Sequence, residues 1–172
     1  MYAEPPTERT RSPVVTWQEL RSSRPELAEA GAQLLYQFGV GLAFLATVRL
    51  DGGPRVHPMC PVIHESGLYA FLVASPKRAD LLRDGRFSMH SFPTDSDEDA
   101  FYLTGLALPV GDEELRASLV SRYLGERPTL SLAASGLDEH RLFEFRIDTC
   151  MLTRTSGHGD PAPVHTVWHA PT

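Results

Sequence analysis

Short apolar runs broken by glycine turns constrain this chain most. Leu42 to Leu50 (LAFLATVRL) is rich in strand formers, and Asp51-Gly52-Gly53 then signals a turn. Pro54 to His64 reads as a second strand, with Pro58 and Pro61 each removing a ladder donor. Those prolines demote part of it to a sheet edge or a bulge. Glu65-Ser66-Gly67 turns the chain again, and Leu68 to Ala74 (LYAFLVA) is the third strand. Three such strands in a meander suit a barrel or an antiparallel sheet.

Helical signals frame this β region. Thr16-Trp17-Gln18-Glu19 is a capping box, in which Thr16 can cap the Glu19 amide and Glu19 can reach back. Pro25 fits the first turn of a second helix, which should stop near Gly39 or Gly41. Ser75-Pro76 begins a short helix running to about Arg83. Arg86 to Phe92 and Ala100 to Val110 read as strands four and five. Asp112 can cap a helix over Glu113 to Leu124 whose apolar face holds Leu115, Leu119 and Tyr123. His140 to Thr153 is a sixth strand and Val164 to His169 a last short one.

The length of 172 residues fits one domain. Residues 1–15 read as a disordered arm, rich in Pro, Glu, Thr and Arg, and 16–172 as the single domain. No run of about 18 apolar residues predicts a membrane span. The net charge of −6 argues against bulk attraction to nucleic acid. Cys60 and Cys150 read as buried thiols of a cytoplasmic protein, and without a C-x-x-C pair no zinc site is expected. The acidic run Asp95 to Asp99 fails as a calcium loop, because Ala100 and Leu106 stand where glycine and glutamate are needed. His165 and His169 share a strand face but lack a third ligand.

Ser75-Pro76-Lys77-Arg78 is the most informative segment. It puts two cations in a first helical turn, where the helix dipole is already positive. A sequence often breaks a local rule at a functional site. A bound phosphate would meet the dipole, the free amides and both side chains. Solvated surface residues are the plain alternative. Arg55 favours the phosphate, since it begins the strand that a meander sets beside the end of the third.

The ordered set resembles the pyridoxamine 5'-phosphate oxidase-like FMN-binding split barrels. It comprises LAFLATV, the Gly turn, Arg55-Val56-His57-Pro58, LYAFLVAS with Ser75-Pro76-Lys77, Arg86-Phe87-Ser88-Met89, and Phe101 to Gly105. The resemblance runs from about Leu42 to Val110, with a weaker echo at Leu142 to Trp168. It implies a mainly β fold, an antiparallel split barrel of six to seven strands with flanking helices. It also implies a homodimer with FMN in the groove between subunits, and electron transfer to or from a small organic substrate.

On that resemblance Arg55 and Lys77 hold the FMN phosphate, with Ser75 and Arg78 next. Pro76 stands where the family often has a basic residue. Backbone of Val56, His57 and Pro58, and of Val73 and Ala74, lines the ring system, and the partner subunit adds the Ser91 region and Trp168. Vitamin B6 oxidases carry an R-x-H-x-R motif near the C-terminus, whereas no arginine follows Arg154 here. The expected activity is therefore an FMN oxidoreductase other than a pyridoxamine phosphate oxidase. A deazaflavin (coenzyme F-420) in the same groove and a non-catalytic flavin or heme binder are the alternatives. His57 and His90 are candidate proton donors or heme ligands, against a plainer role as structural histidines. No other acid, base or metal ligand stands out.

Overall fold

The computed structural model describes residues 13–129 and 133–172. Residues 1–12, most of the expected arm, lie outside them. Val15 already exchanges backbone hydrogen bonds with Ile147, at 2.9 and 2.7 Å.

Two helices open the chain. In α1 (Trp17–Ser23) the capping box is complete: Thr16 Oγ1 accepts from the Glu19 amide at 3.2 Å, and the Glu19 carboxylate accepts from the Thr16 amide at 2.7 Å. Pro25 starts α2 (Pro25–Leu35), which ends before the expected glycines. Gly39 instead closes a turn with φ +78°, donating to the Tyr36 carbonyl at 2.8 Å. Both helices cover the sheet. Trp17 meets Phe101 edge to face at 6.1 Å. Gly31 lets α2 approach that ring, since a Cβ there would sit 2.6 Å from it.

The sheet contains β1 (Ala43–Val48), β2 (Pro54–Met59), β3 (Val62–Ile63), β4 (Leu68–Leu72), β5 (Arg86–Ser91), β6 (Ala100–Pro109), β7 (Arg141–Arg154) and β8 (Val164–His169). Helix α3 (Pro76–Arg83) lies between β4 and β5, and α4 (Glu113–Gly125) between β6 and β7. The strand order is β2-β1-β5-β6-β7-β4-β3, with β8 also on β7. All pairings are antiparallel, and the sheet curls into a half-barrel.

The eight strands exceed the expected six or seven because the chain breaks at Cys60-Pro61, dividing the second expected strand into β2 and β3. Both pieces sit at sheet edges, where missing proline donors cost no ladder bond. The expected three-strand meander is divided: β2 pairs with β1 and β3 with β4, but the two halves of the second expected strand lie at opposite ends of the sheet order, and β4 takes β7 as its other neighbour. The 14-residue β7 is long enough for two partners on one side: Arg141–Glu144 take β4, and Thr149–Arg154 take β8. A bulge between Thr104 and Gly105 bends β6 against it.

Inward residues of β1, β5, β6 and β7 form the main core with Trp17, Leu20 and Leu35. A second cluster lies under α4, where Leu119 packs on Tyr69, Phe71, Leu137 and Leu142. Leu115 and Tyr123 flank it, the helix face expected from their spacing.

Candidate functional site

Helix α3 begins as its residues dictate. Ser75 is extended (φ −163°, ψ 161°), its hydroxyl accepts from the Arg78 amide at 3.4 Å, and Pro76 follows in the first turn. The two cations then diverge. The Lys77 ammonium reaches the Pro58 carbonyl at 3.3 Å, tying α3 to the free edge of β2. Arg78 turns away and donates to the carbonyls of Glu139, at 3.0 Å, and Leu72, at 3.4 Å. It lines a separate cleft of about 800 Å³ with Arg116, His140 and Arg141. Carbonyl oxygens thus relieve part of the conflict that two cations create at a helix N-terminus.

Arg55 joins Lys77 by another route than the expected meander. Its Nε donates at 2.8 Å to Asp80, which α3 buries against β1. Thr47 Oγ1 donates to the same carboxylate oxygen at 2.9 Å, and Arg83 to the other at 3.2 Å. Burial pushes the Asp80 carboxyl up, but the three donors outweigh it and hold the group below its ordinary value. Sequence reading missed Asp80. Its one signal was an acid one turn before Arg83 in an otherwise cationic helix.

Alternation divides the Val56–Pro58 stretch. Arg55 and His57 stand opposite Thr47 and the buried Leu45, whereas Val56 and Pro58 are exposed on the outward face. Registers place Pro58, Phe44, His90, Tyr102, Met151 and Val167 in one row across six strands of that face. Phe44 stacks on Phe92 with ring centroids 4.0 Å apart. The row is mostly apolar and uncharged, a sheet surface that a planar ring can lie against. Periodicity alone did not reveal it, because it needs the strand order.

The remaining candidates are dispersed within the protomer. Val73 and Ala74 are exposed just before α3. Ser91 is buried and its hydroxyl accepts from the Phe101 amide at 3.0 Å. Trp168 packs on the core opposite Cys150, on β8 and separated from β2 by four strands. His90 is exposed, with Nδ1 2.6 Å from the Ser91 carbonyl, which makes Nδ1 the donor. The structure ties Arg55 to α3 through Asp80 and Lys77 to β2 through the Pro58 carbonyl, whereas Arg78, Ser91 and Trp168 lie elsewhere.

No protein-family model matches the sequence, and no curated protein matches it. Solved structures do. The heme binding protein from Mycobacterium smegmatis aligns at 17% identity and TM-score 0.60, over 83% of this chain and 58% of that one. HutZ, the heme storage protein from Vibrio cholerae, aligns at 16% identity and TM-score 0.57, over 72% and 89%. A pyridoxamine 5'-phosphate oxidase homologue from Listeria innocua aligns at 16% identity and TM-score 0.58, over 74% and 98%. The strand order, the divided edge strand and these likenesses together give the chain the split-barrel fold of the pyridoxamine 5'-phosphate oxidase-like proteins.

Proposed function

We propose that the chain binds FMN and works as an FMN-dependent oxidoreductase on a small organic substrate other than a vitamin B6 phosphate. The observation that carries this reading is that Arg55 and Lys77 are both anchored between β2 and α3, Arg55 on Asp80 and Lys77 on the Pro58 carbonyl. The donor set fits a phosphate. Among the described residues, the terminal nitrogens of Arg55 have no hydrogen-bond partner, and a guanidinium fork matches phosphate oxygens. Val56, Pro58 and Phe44 supply a flat apolar surface on the outward face of the same strand edge.

When bound, the flavin supplies hydride chemistry; the protein binds, orients and shields it. Arg55 and Lys77 anchor the anionic end. The edge backbone of β2 offers amide and carbonyl groups that no neighbouring strand uses. His90 stands exposed on the same face, its ring 6.5 Å from Tyr102, as a candidate proton donor. The homodimer belongs to this proposal: exposed Val56 and Val167 lie on the outward face, and a second copy facing it would bring in groups that one chain leaves apart, Trp168 among them. No helix among the described residues is long and apolar enough to cross a membrane.

The test is a visible spectrum of the purified protein before and after FMN addition and gel filtration. Two flavin bands retained stoichiometrically at dimer mass support the proposal. A single band at shorter wavelength after deazaflavin addition, or a Soret band after heme addition, without retained flavin, replaces FMN by that cofactor.

A further inference from the structure

Asp80 poses a question of sign: a carboxylate buried against Arg55 subtracts positive charge from a site that should attract an anion. We infer that Asp80 is a positioning residue that fixes the Arg55 guanidinium for an anion at the β2 edge, and that this gain exceeds the charge it cancels. The inference rests on the phosphate-binding reading above.

The carboxylate is itself fixed from three elements. Thr47 on β1 and Arg55 on β2 share one oxygen, at 2.9 and 2.8 Å, and Arg83 on α3 takes the other at 3.2 Å. Thr47 and Asp80 are only 2% and 4% exposed, so water does not compete for these bonds. Arg83 also donates to the Val48 carbonyl, which anchors α3 from below. Arg55 is gripped by Nε, the guanidinium nitrogen nearest the backbone, and its side chain keeps 29% exposure. That grip fixes the guanidinium plane and leaves the two terminal nitrogens as an open fork. A free arginine carries large rotamer entropy, which an anion would otherwise have to remove on binding. Lys77 adds a second cation at the β2 edge, where it meets the Pro58 carbonyl.

The two roles predict opposite signs. If Asp80 merely neutralises Arg55, Asp80→Asn raises the local positive charge and tightens anion binding. If it positions Arg55, the same change weakens binding. Asparagine can present oxygen to Arg55 and Thr47 or to Arg83, but its amide nitrogen then faces a donor at the other end. Thr47→Val leaves every charge in place and removes only one support.

The experiment measures FMN and riboflavin affinity by fluorescence quenching in the intact protein, since riboflavin lacks the phosphate. Asp80→Asn should weaken FMN about tenfold, roughly the loss of one charged hydrogen bond, and leave riboflavin nearly unchanged. Thr47→Val should weaken FMN in the same direction by less. In an Arg55→Ala background, Asp80→Asn should cost no further FMN affinity. FMN bound equally or more tightly by Asp80→Asn overturns the inference, as does a parallel loss of riboflavin. If the wild-type protein binds no flavin, the cofactor proposal fails separately. Inorganic phosphate followed by phosphorus NMR then decides: weaker binding by Asp80→Asn sustains the role of Asp80, and equal, tighter or absent wild-type binding overturns it.

Discussion

The ammonium of Lys77 lies 3.3 Å from the carbonyl oxygen of Pro58, so the first turn of α3 is tied to an edge strand through a group that no sheet neighbour uses. Proline contributes twice here: it keeps β2 at the edge, and it offers a carbonyl there. Lys77→Ala should weaken FMN binding by about tenfold or more, the scale of one charge-assisted contact. Equilibrium titration checks this, and unchanged affinity removes Lys77 from the site.

The capping box gives a test remote from the site. Thr16→Ala leaves the Glu19 amide without its cap and should lower stability by about 1 kcal/mol. Urea unfolding should show an earlier midpoint with an unchanged slope.

Gly105 sits at the β6 bulge, where a Cβ would lie 1.8 Å from the Arg146 carbonyl oxygen. The neighbour is backbone and cannot step aside, so Gly105→Ala must move β7. We expect a loss of about 2 kcal/mol or more, read from thermal unfolding.

Burial pushes the Cys150 thiol up to about 12. It therefore stays a neutral thiol throughout the usual working range, and a disulfide reagent at pH 8 should leave it unmodified until the protein unfolds. Cys60, half-buried, should react first. Mass spectrometry of the labelled protein distinguishes the two.

The folded Asp80 carboxyl is held below its ordinary value, by the Arg55, Thr47 and Arg83 donors acting against burial. Its stabilising contribution is thus present above the unfolded value of about 4 and is lost as pH falls through the folded value. Glu19 and Asp84 are held down by their own hydrogen bonds and act in the same window. Asp80→Asn should flatten the stability curve below about pH 4 relative to wild type, as denaturant midpoints measured across that range will reveal.

Local elements were legible because their signals are local. Ser75-Pro76 started α3, Asp112 capped α4 at the Leu115 amide, and the period of two bounded β8 at Val164 and His169. Pro58 and Pro61 marked β2 and β3 as edge material. The meander was divided between two sheet edges, a result that the pattern of each strand could not foretell, since it states which face is apolar and not which neighbour covers it. Leu68–Leu72 is buried on both faces, and β7 could satisfy it where the proline-broken β2 could not.

The candidate site divides along the same line. Ser75 and Lys77 could be named from a cap and a charge placed against a helix dipole, a property of consecutive residues, whereas Arg55 was named from an expected meander and the family resemblance. The pairing of Arg55 with Asp80, the departure of Arg78 to the Leu72 and Glu139 carbonyls, and the row from Pro58 to Val167 join segments far apart in the chain. Consecutive residues alone determined the alternation of faces and the helix ends, because backbone geometry and hydrogen bonding repeat over a few residues. Only the tertiary structure decided which strands pair and which cation meets the buried carboxylate, because those choices depend on closing the chain so that apolar faces and buried donors are satisfied together.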